Sequence, residues 1–216
     1  MDIQLDIGYK NQVMYKNVYL QLPSNGIISL IGKNGSGKST IYKTFLGHIP
    51  AIHGKVPKSV TAKCAIVSDY VHIPEENKVR DVLRLSSNFK SGIKKYEKFY
   101  QNITKLLDLK VKTLSSGQKR ILEIFMVLLS GKEIIILDEA TNALDFESKE
   151  LFLNYVCELS SEILFIHTSH DLTEVVVLNS IPYLLVKEKK KIIAIRQENM
   201  TTDTLVATVK NGGDRC

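Results

Sequence analysis

A glycine-rich loop directly follows a short apolar run near the start of the chain, and no other feature constrains the fold as much. The run is Ile27-Ile28-Ser29-Leu30-Ile31, and the residues after it read Gly32-Lys33-Asn34-Gly35-Ser36-Gly37-Lys38-Ser39-Thr40. This order predicts a buried strand, a tight loop and a helix from about Lys38 to Ile49. Glycines let successive amide groups turn inward around phosphate oxygens, and a helix N-terminus adds a favourable dipole. The segment therefore predicts a phosphate-binding loop.

The residue types within this loop indicate a nucleotide. Lys38 supplies a mobile ammonium for the outer phosphates, and the Ser39 hydroxyl is a suitable ligand for Mg²⁺. Kinases, switches, motors and transport ATPases all use such a loop, so the loop alone leaves the class of protein open. We expect the nucleotide to be bound by Gly32, Asn34, Gly35, Ser36, Gly37, Lys38, Ser39 and Thr40.

Apolar runs recur along the chain and alternate with segments of helical spacing. They lie at 27–31, 64–67, 133–137 and 163–167. Strands that alternate with helices favour an α/β fold with a mostly parallel sheet. The first ~25 residues instead alternate apolar and polar side chains, which predicts a small antiparallel layer. The fold class that we predict is α/β. The glycine-rich loop resembles that of the P-loop NTPases, and this resemblance implies a P-loop NTPase (RecA-like) core with a small N-terminal antiparallel β layer and a helical subdomain.

Length and composition fit one domain with no membrane span of its own. The chain has 216 residues and a net charge of +6. Its apolar runs, such as Ile124 to Leu129, fall far short of the ~18 residues that cross a bilayer. Three widely separated cysteines and the lack of a leader predict a cytoplasmic protein with reduced thiols. The basic run from Lys187 to Lys191 lies between two apolar segments, which favours the solvated turn of a hairpin, and we expect no nucleic acid partner.

Two acids follow the strand-like run that begins at Ile134. Asp138 at the end of such a strand is placed to bind Mg²⁺ beside the nucleotide. Glu139, one residue further on, is placed to orient or deprotonate the attacking water. A strand followed by Asp-Glu is common by itself, and the phosphate-binding loop upstream is what favours a catalytic interpretation.

The segment Leu114-Ser115-Ser116-Gly117-Gln118 precedes that strand and predicts the start of a helix that runs to about Ser130. Either serine would make a good N-cap, which is a purely structural explanation. Gly117 is a poor helix former in the first turn and therefore needs another reason. A serine, a bare backbone and a helix N-terminus together form a second candidate phosphate site.

Taken together, these motifs resemble those of the ATP-binding cassette (ABC) ATPases over nearly the whole chain. Gly32–Ser39 resembles the Walker A motif, Ile134–Asp138 the Walker B motif, and Leu114–Gln118 the signature motif, which normally reads Leu-Ser-Gly-Gly-Gln. Ala143-Leu144-Asp145 resembles the D-loop, and His170 lies where the family has its switch histidine. Tyr9 lies where an aromatic residue often stacks on adenine, with Tyr15 and Tyr19 as alternatives.

This resemblance implies a single ABC ATPase domain over 1–216, with a helical subdomain at about 70–130. Two ATPase domains, identical or related, would pair head to tail, so that Ser115, Ser116, Gly117 and Gln118 act on the partner's ATP. Glu139 and His170 would be catalytic, and Ser39 and Asp138 would hold Mg²⁺. The domain would power separate transmembrane permease subunits from the cytosolic face of the membrane. Ala140-Thr141 resembles exporters, where importers more often have proline at position 140.

Two departures from the family pattern affect these expectations. Ser116 replaces the first signature glycine, but its side chain is small and we expect function to survive. The family also has a glutamine near Ser68 or Asp69, and this chain has none there. The alternative to a transporter subunit is a soluble ATPase of the same superfamily that serves cofactor assembly, translation or DNA repair. A small-molecule kinase is a third class, which the signature and His170 oppose.

Overall fold

Two groups of strands form the framework of the protein. The structure is a computed structural model that describes residues 1–9, 12–68, 73–142, 144–195 and 200–211. Within these ranges the strands are β1 Asp2–Tyr9, β2 Gln12–Gln21, β3 Gly26–Ile31, β4 Cys64–Val67, β5 Ile134–Asp138, β6 Leu164–Ser169, β7 Ile181–Val186 and β8 Lys191–Ala194.

The helices surround these strands. In the described ranges they are α1 Lys38–Phe45, α2 Lys58–Thr61, α3 Val79–Arg84, α4 Phe89–Lys95, α5 Glu97–Thr104, α6 Ser116–Leu129, α7 Phe146–Leu159, α8 Leu172–Val177 and α9 Thr202–Lys210, with a short 3-10 turn at Val111–Thr113.

The main sheet has the strand order β4-β5-β6-β3-β7-β8 in the described part of the chain. Neighbouring strands from β4 to β7 are parallel, and β8 pairs antiparallel with β7. β3 lies between β6 and β7, so the loop after β3 emerges from the middle of the sheet. The side chains of β3 are apolar along most of the strand, because both faces of a parallel sheet are covered.

β1 and β2 form a separate antiparallel layer. Its inward side chains, such as Ile3, Leu5 and Val18, share a core cluster with β3 and α1. A second core cluster joins α3, α5, α6 and α7 to the other face of the sheet. The predicted fold class is therefore confirmed: an α/β core with a parallel-rich sheet and an N-terminal antiparallel layer.

Some predicted boundaries differ from the structure. α1 ends at Phe45 rather than near Ile49, because Gly47 adopts a left-handed backbone with φ 76° that terminates the helix. The polar C-terminal segment contains α9. Thr201 caps that helix in a capping box, and Leu205 is buried against a small third cluster. The basic run forms the β7–β8 turn as predicted.

In the described ranges, no helix combines the length and the apolar character that crossing a bilayer would require. Cys64 and Cys157 are both free thiols. Cys216, the third cysteine of the sequence, lies outside the described residues.

Candidate nucleotide site

The candidate site lies where parallel strands end together. Ile31, the last residue of β3, pairs with Ser169 of β6, and Asp138 at the end of β5 pairs with Thr168. The carboxyl ends of parallel strands share one edge of the sheet, where α/β folds bind their ligands. The glycine-rich loop and both acids are thus brought to the same edge.

Left-handed glycines give the loop its shape. Gly35 has φ 74° and Gly37 has φ 101°, and residues other than glycine rarely adopt such backbone angles. Between them, the Ser36 amide donates a hydrogen bond to the Lys33 carbonyl at 3.0 Å. A β-carbon on Gly37 would also lie 2.7 Å from the Met14 methyl group. The backbone angle therefore accounts for glycine at position 37, since the end of the flexible Met14 side chain can shift.

Lys38 is nearly buried at the start of α1, with 6% of its surface exposed. Its ammonium donates to the Gly32 carbonyl at 2.8 Å, so the side chain folds back over the loop. Burial lowers the pKa of Lys38, while the negative charges of Glu139 and Asp138 oppose that shift. A cation held beside two acids and a ring of amides is suited to phosphate.

Asp138 is held by hydrogen bonds to both carboxylate oxygens. The Tyr42 hydroxyl donates to Oδ2 at 2.6 Å, and the Thr168 hydroxyl donates to Oδ1 at 2.8 Å. A carboxylate has about four lone-pair positions, so each oxygen keeps capacity for a further partner. Mg²⁺ is commonly bound by one or two carboxylates together with substrate phosphates. Asp138 and the exposed hydroxyl of Ser39 fit that requirement.

Glu139 has an unusual backbone. Its φ of 46° lies in the left-handed region, which non-glycine residues rarely enter. The Glu139 amide donates to the Thr168 carbonyl at 3.2 Å, and Asn142 Nδ2 donates to the Glu139 carboxylate at 2.7 Å. Such strain persists where the surroundings hold it, and Glu139 here lines the same cavity as the loop.

The loop and the acids line one cavity of about 490 Å³. Of the predicted residues, it brings together Asn34, Gly35, Ser36, Gly37, Lys38, Ser39, Thr40, Asp138 and Glu139. Met14 of β2 also lines this cavity, and the sequence pattern did not single it out.

The three tyrosines considered for adenine stacking have different positions. Tyr9 ends β1 and is 54% exposed. Tyr19 is equally exposed, but its hydroxyl is hydrogen-bonded to Asp2. Tyr15 is fully buried beneath the loop, and its hydroxyl donates to the Ser36 carbonyl. Tyr15 is therefore excluded as a stacking residue, because no face of its ring is open.

His170 follows β6 directly and is exposed. It lies one residue beyond Ser169, which pairs with the last residue of β3. His170 is therefore at the same sheet edge as the loop, although the described residues that line the cavity do not include it.

The signature-like residues are at the N-terminus of α6. Ser115 caps the helix: its hydroxyl accepts from the Gln118 amide, and the Gln118 side chain accepts from the Ser115 amide. Ser115 and Ser116 are exposed. Gly117 is buried, and a β-carbon there would lie 2.2 Å from the Ser148 hydroxyl. Close packing of α6 on α7 thus accounts for the glycine that helix propensity left unexplained.

Asp145 caps α7 by accepting from the Ser148 amide at 2.8 Å, and this backbone hydrogen bond lowers the pKa of Asp145. Ala143 of the D-loop-like segment lies outside the described residues.

At the position where the family has glutamine, Ser68 is 2% exposed, so its small side chain points away from solvent. Asp69 also lies outside the described residues.

A buried polar network behind the site escaped the sequence analysis. Glu174 of α8, 2% exposed, accepts from Thr141 at 2.6 Å, from Lys149 at 2.7 Å and from His167 at 3.1 Å. Burial alone would raise the pKa of Glu174, but these donors outweigh it and hold the pKa well below its ordinary value. Lys149 also contacts Asp171 at 2.7 Å, next to His170. Apart from its position four residues after His170, nothing in the sequence singles out Glu174.

Comparison with known proteins places this geometry in a family. The family model described as "ABC transporter" matches residues 15–142, more than half of the chain. The chain is 30% identical to the zinc import ATP-binding protein ZnuC of Rickettsia bellii, over 78% of this chain and 74% of that protein. It is 31% identical to the "Probable peptide export ATP-binding protein YydI" of Bacillus subtilis, over 76% of this chain and 80% of that protein.

The chain is also similar to part of a longer relative and, in its fold, to a solved structure. The chain is 33% identical to ABC transporter G family member 20 of Dictyostelium discoideum, over 78% of this chain but only 26% of that protein. Its fold is similar to that of cbiO1 from Clostridium perfringens, part of the ABC transporter complex cbiONQ, with a TM-score of 0.75 and 21% identity over 89% of this chain and 86% of that chain. The chain therefore belongs to the ABC transporter family, as one of its ATP-binding subunits.

Proposed function

We propose that this protein is the Mg²⁺-dependent ATPase subunit of a membrane transporter whose transmembrane permease is a separate polypeptide. The observation that carries the proposal is the shared cavity of the glycine-rich loop, Lys38, Asp138 and Glu139. A phosphate cradle that faces two acids suits hydrolysis of a nucleoside triphosphate better than nucleotide binding alone.

The residues in the cavity suggest the following roles. The loop amides and Lys38 stabilise the charge of the transferred phosphoryl group. Glu139, held by Asn142, takes a proton from the attacking water. Ser39 and Asp138 would hold Mg²⁺, which when bound neutralises charge on the phosphates. His170 at the same sheet edge would contact the γ-phosphate, and exposed Tyr9 would stack on the adenine.

The cavity is open to solvent, which motivates the proposed head-to-tail pairing. Water-exposed phosphates would be covered by the α6 N-terminus of a second ATPase domain, identical or related, through its Ser115, Ser116, Gly117 and Gln118. Asp145 would lie at the same junction, since α6 and α7 pack together at Gly117 and Ser148. ATP would then stabilise the dimer, and hydrolysis would open it.

The proposal extends to the domain organisation, the partners and the location. We propose one ATPase domain over 1–216, in which the helical subdomain at about 70–130 docks on the permease at the cytosolic face of the membrane. The relative YydI is named for export and ZnuC for import. Export is the direction we favour, on the Ala140-Thr141 sequence. The alternative, a soluble ATPase of the same superfamily, has no support from these names.

Substitution of Glu139 by glutamine tests the catalytic part of the proposal. Glu139→Gln keeps the size and the Asn142 contact but removes the base, so ATP binding should persist while turnover falls at least about a hundredfold. Size-exclusion chromatography with ATP and Mg²⁺ should then show a stable dimer. Glu147→Gln, on the exposed side of α7, is the matched control and should hydrolyse ATP normally. A monomeric Glu139→Gln variant that still hydrolyses ATP would refute the assignment.

Co-purification tests the transport part. The tagged protein, extracted from its own cells with mild detergent, should retain an integral membrane subunit with several ~20-residue apolar spans. Recovery with soluble proteins only would favour the alternative function instead.

A further inference from the structure

A phosphate-binding loop must expose amides on one side and satisfy its carbonyls on the other. In a planar trans peptide the carbonyl and the following amide point in opposite directions. A donor that fixes the carbonyl of one residue therefore also fixes the direction of the next amide. Two side chains outside the loop make such contacts with its central segment, at the consecutive residues Gly35 and Ser36.

Tyr15 of β2 makes the first contact. Its hydroxyl donates to the Ser36 carbonyl, so the Gly37 amide at the other end of that peptide points away from Tyr15. The ring is fully buried, and its edge would lie 3.3 Å from a β-carbon on Gly37. Burial raises the pKa of Tyr15 to about 12, with a smaller contribution from Glu188, so the hydroxyl remains a donor at physiological pH.

Lys187, in the turn after β7, makes the second contact. Its ammonium donates to the Gly35 carbonyl at 3.1 Å. The amide of the same peptide, on Ser36, donates to Lys33, so this peptide is held at both ends. Lys187 reaches the loop because β7 lies beside β3 and continues past it: Ile31 pairs with Leu184, while β7 runs on to Val186.

The two donors belong to connected parts of the molecule. The Lys16 amide, next to Tyr15, donates to the Lys190 carbonyl in the β7–β8 turn at 3.0 Å. The antiparallel layer and the lysine-rich turn thus meet at one side of the loop. Lys187 therefore contacts the loop through a hydrogen bond, a role that the interpretation of this turn as solvent-exposed did not include.

We propose that Tyr15 and Lys187 are positioning residues that hold the Gly35–Gly37 backbone in its phosphate-binding conformation before the nucleotide arrives. The inference rests on the proposed function, because it concerns the affinity of the same site. A loop that is already ordered loses less conformational entropy on binding, so the benefit falls on affinity rather than on the chemical step.

Tyr15→Phe tests the first contact. It keeps the buried ring and removes only the hydroxyl, so the dissociation constant of Mg-ATP, measured by titration calorimetry, should rise about three- to tenfold. The turnover number at saturating ATP should stay within about twofold, which separates positioning from catalysis. Tyr183→Phe is the matched control: that tyrosine is also buried and its hydroxyl accepts from Gln21 of β2 at 3.4 Å, away from the loop. It should leave the dissociation constant unchanged.

Lys187→Met tests the second contact with a variant that cannot disturb the core, because Lys187 is exposed. We expect the dissociation constant of Mg-ATP to rise about two- to fivefold. Lys191→Met removes the same charge from the same hairpin without a described contact to the loop, and should bind normally. If wild-type protein fails to bind Mg-ATP, the proposed function and this inference are both overturned. If wild type binds and both Tyr15→Phe and Lys187→Met bind equally well, this inference alone is overturned.

Discussion

At the scale of single residues, Glu139 is positioned by its backbone and by one neighbour. The left-handed backbone of Glu139, with φ 46°, begins a turn in which the Asn142 backbone amide donates to the Glu139 carbonyl at 3.0 Å. The Asn142 side chain then holds the carboxylate at 2.7 Å. A base must be within hydrogen-bond reach of its proton, so the direction of this carboxylate matters as much as its charge.

Replacing Asn142 by alanine should slow hydrolysis without weakening ATP binding. The variant frees the Glu139 carboxylate to rotate, and a misplaced base costs turnover, here about tenfold. Steady-state ATPase kinetics should show a lower kcat and a nearly unchanged KM. Asn102→Ala, which removes an exposed helix-surface amide on α5, is the control. A wild-type kcat in Asn142→Ala would mean that Asn142 does not position the base.

At the scale of elements, the sequence predicts the strands, loops and helix starts that local residue patterns encode. The apolar run 27–31, the glycines after it and the Ser115 cap are local signals, and each element they predicted is present. The contacts that complete the site come from distant segments: Tyr15 lies 21 residues from Ser36, and Lys187 lies 152 residues from Gly35. A single sequence carries no pattern for such pairs. Its sequence position makes Tyr15 an alternative for adenine stacking, and only the structure shows that its ring is buried.

The packing of α6 on α7 gives a prediction that opposes helix propensity. Alanine is favoured over glycine within a helix by about 1 kcal/mol, yet Gly117→Ala should lower the free energy of unfolding by about 1–3 kcal/mol. The reason is that the new β-carbon would lie 2.2 Å from the Ser148 hydroxyl and 2.5 Å from its β-carbon. Urea denaturation would measure this change.

Removing the obstructing side chain provides the control for Gly117→Ala. Ser148→Gly in the same protein should recover part of the lost stability, since it opens the space that the alanine needs. If Gly117→Ala alone is as stable as wild type, the two helices are free to separate and the close approach does not explain the glycine.

At the scale of the whole molecule, the Glu174 network joins segments that the proposed mechanism uses separately. Thr141 follows Glu139 by two residues, Lys149 lies on α7 behind Asp145, and Asp171 is next to His170. On the other side, His167 contacts Ser29 of β3 at 3.1 Å. A buried carboxylate that is paired in this way is costly to disturb, so it fixes these segments relative to one another.

Glu174 should make the free energy of unfolding depend on pH, with a loss of stability at acidic pH. Its pKa lies below the ordinary 4.5 in the folded state, so its contribution is fully present at neutral pH and is lost as the pH falls below about 4.5. The charged and titratable groups that face it are Lys149 from α7, His167 from β6 and, through Lys149, Asp171. Glu174→Gln should cost about 2 kcal/mol at pH 7, because it replaces the charged acceptor of Lys149 and His167 by a neutral amide, while Asp171 still pairs with Lys149.

Denaturant unfolding at a series of pH values compares the two proteins. The difference in unfolding free energy between wild type and Glu174→Gln should shrink by at most about 1.4 kcal/mol for each pH unit below 4.5, the limit for one proton. Taking the difference cancels the carboxylates that titrate elsewhere in the chain. Two curves that coincide from pH 7 to pH 3 would mean that the charge of Glu174 adds no stability, and that hydrogen bonds available to glutamine suffice to hold the His170 segment against α7.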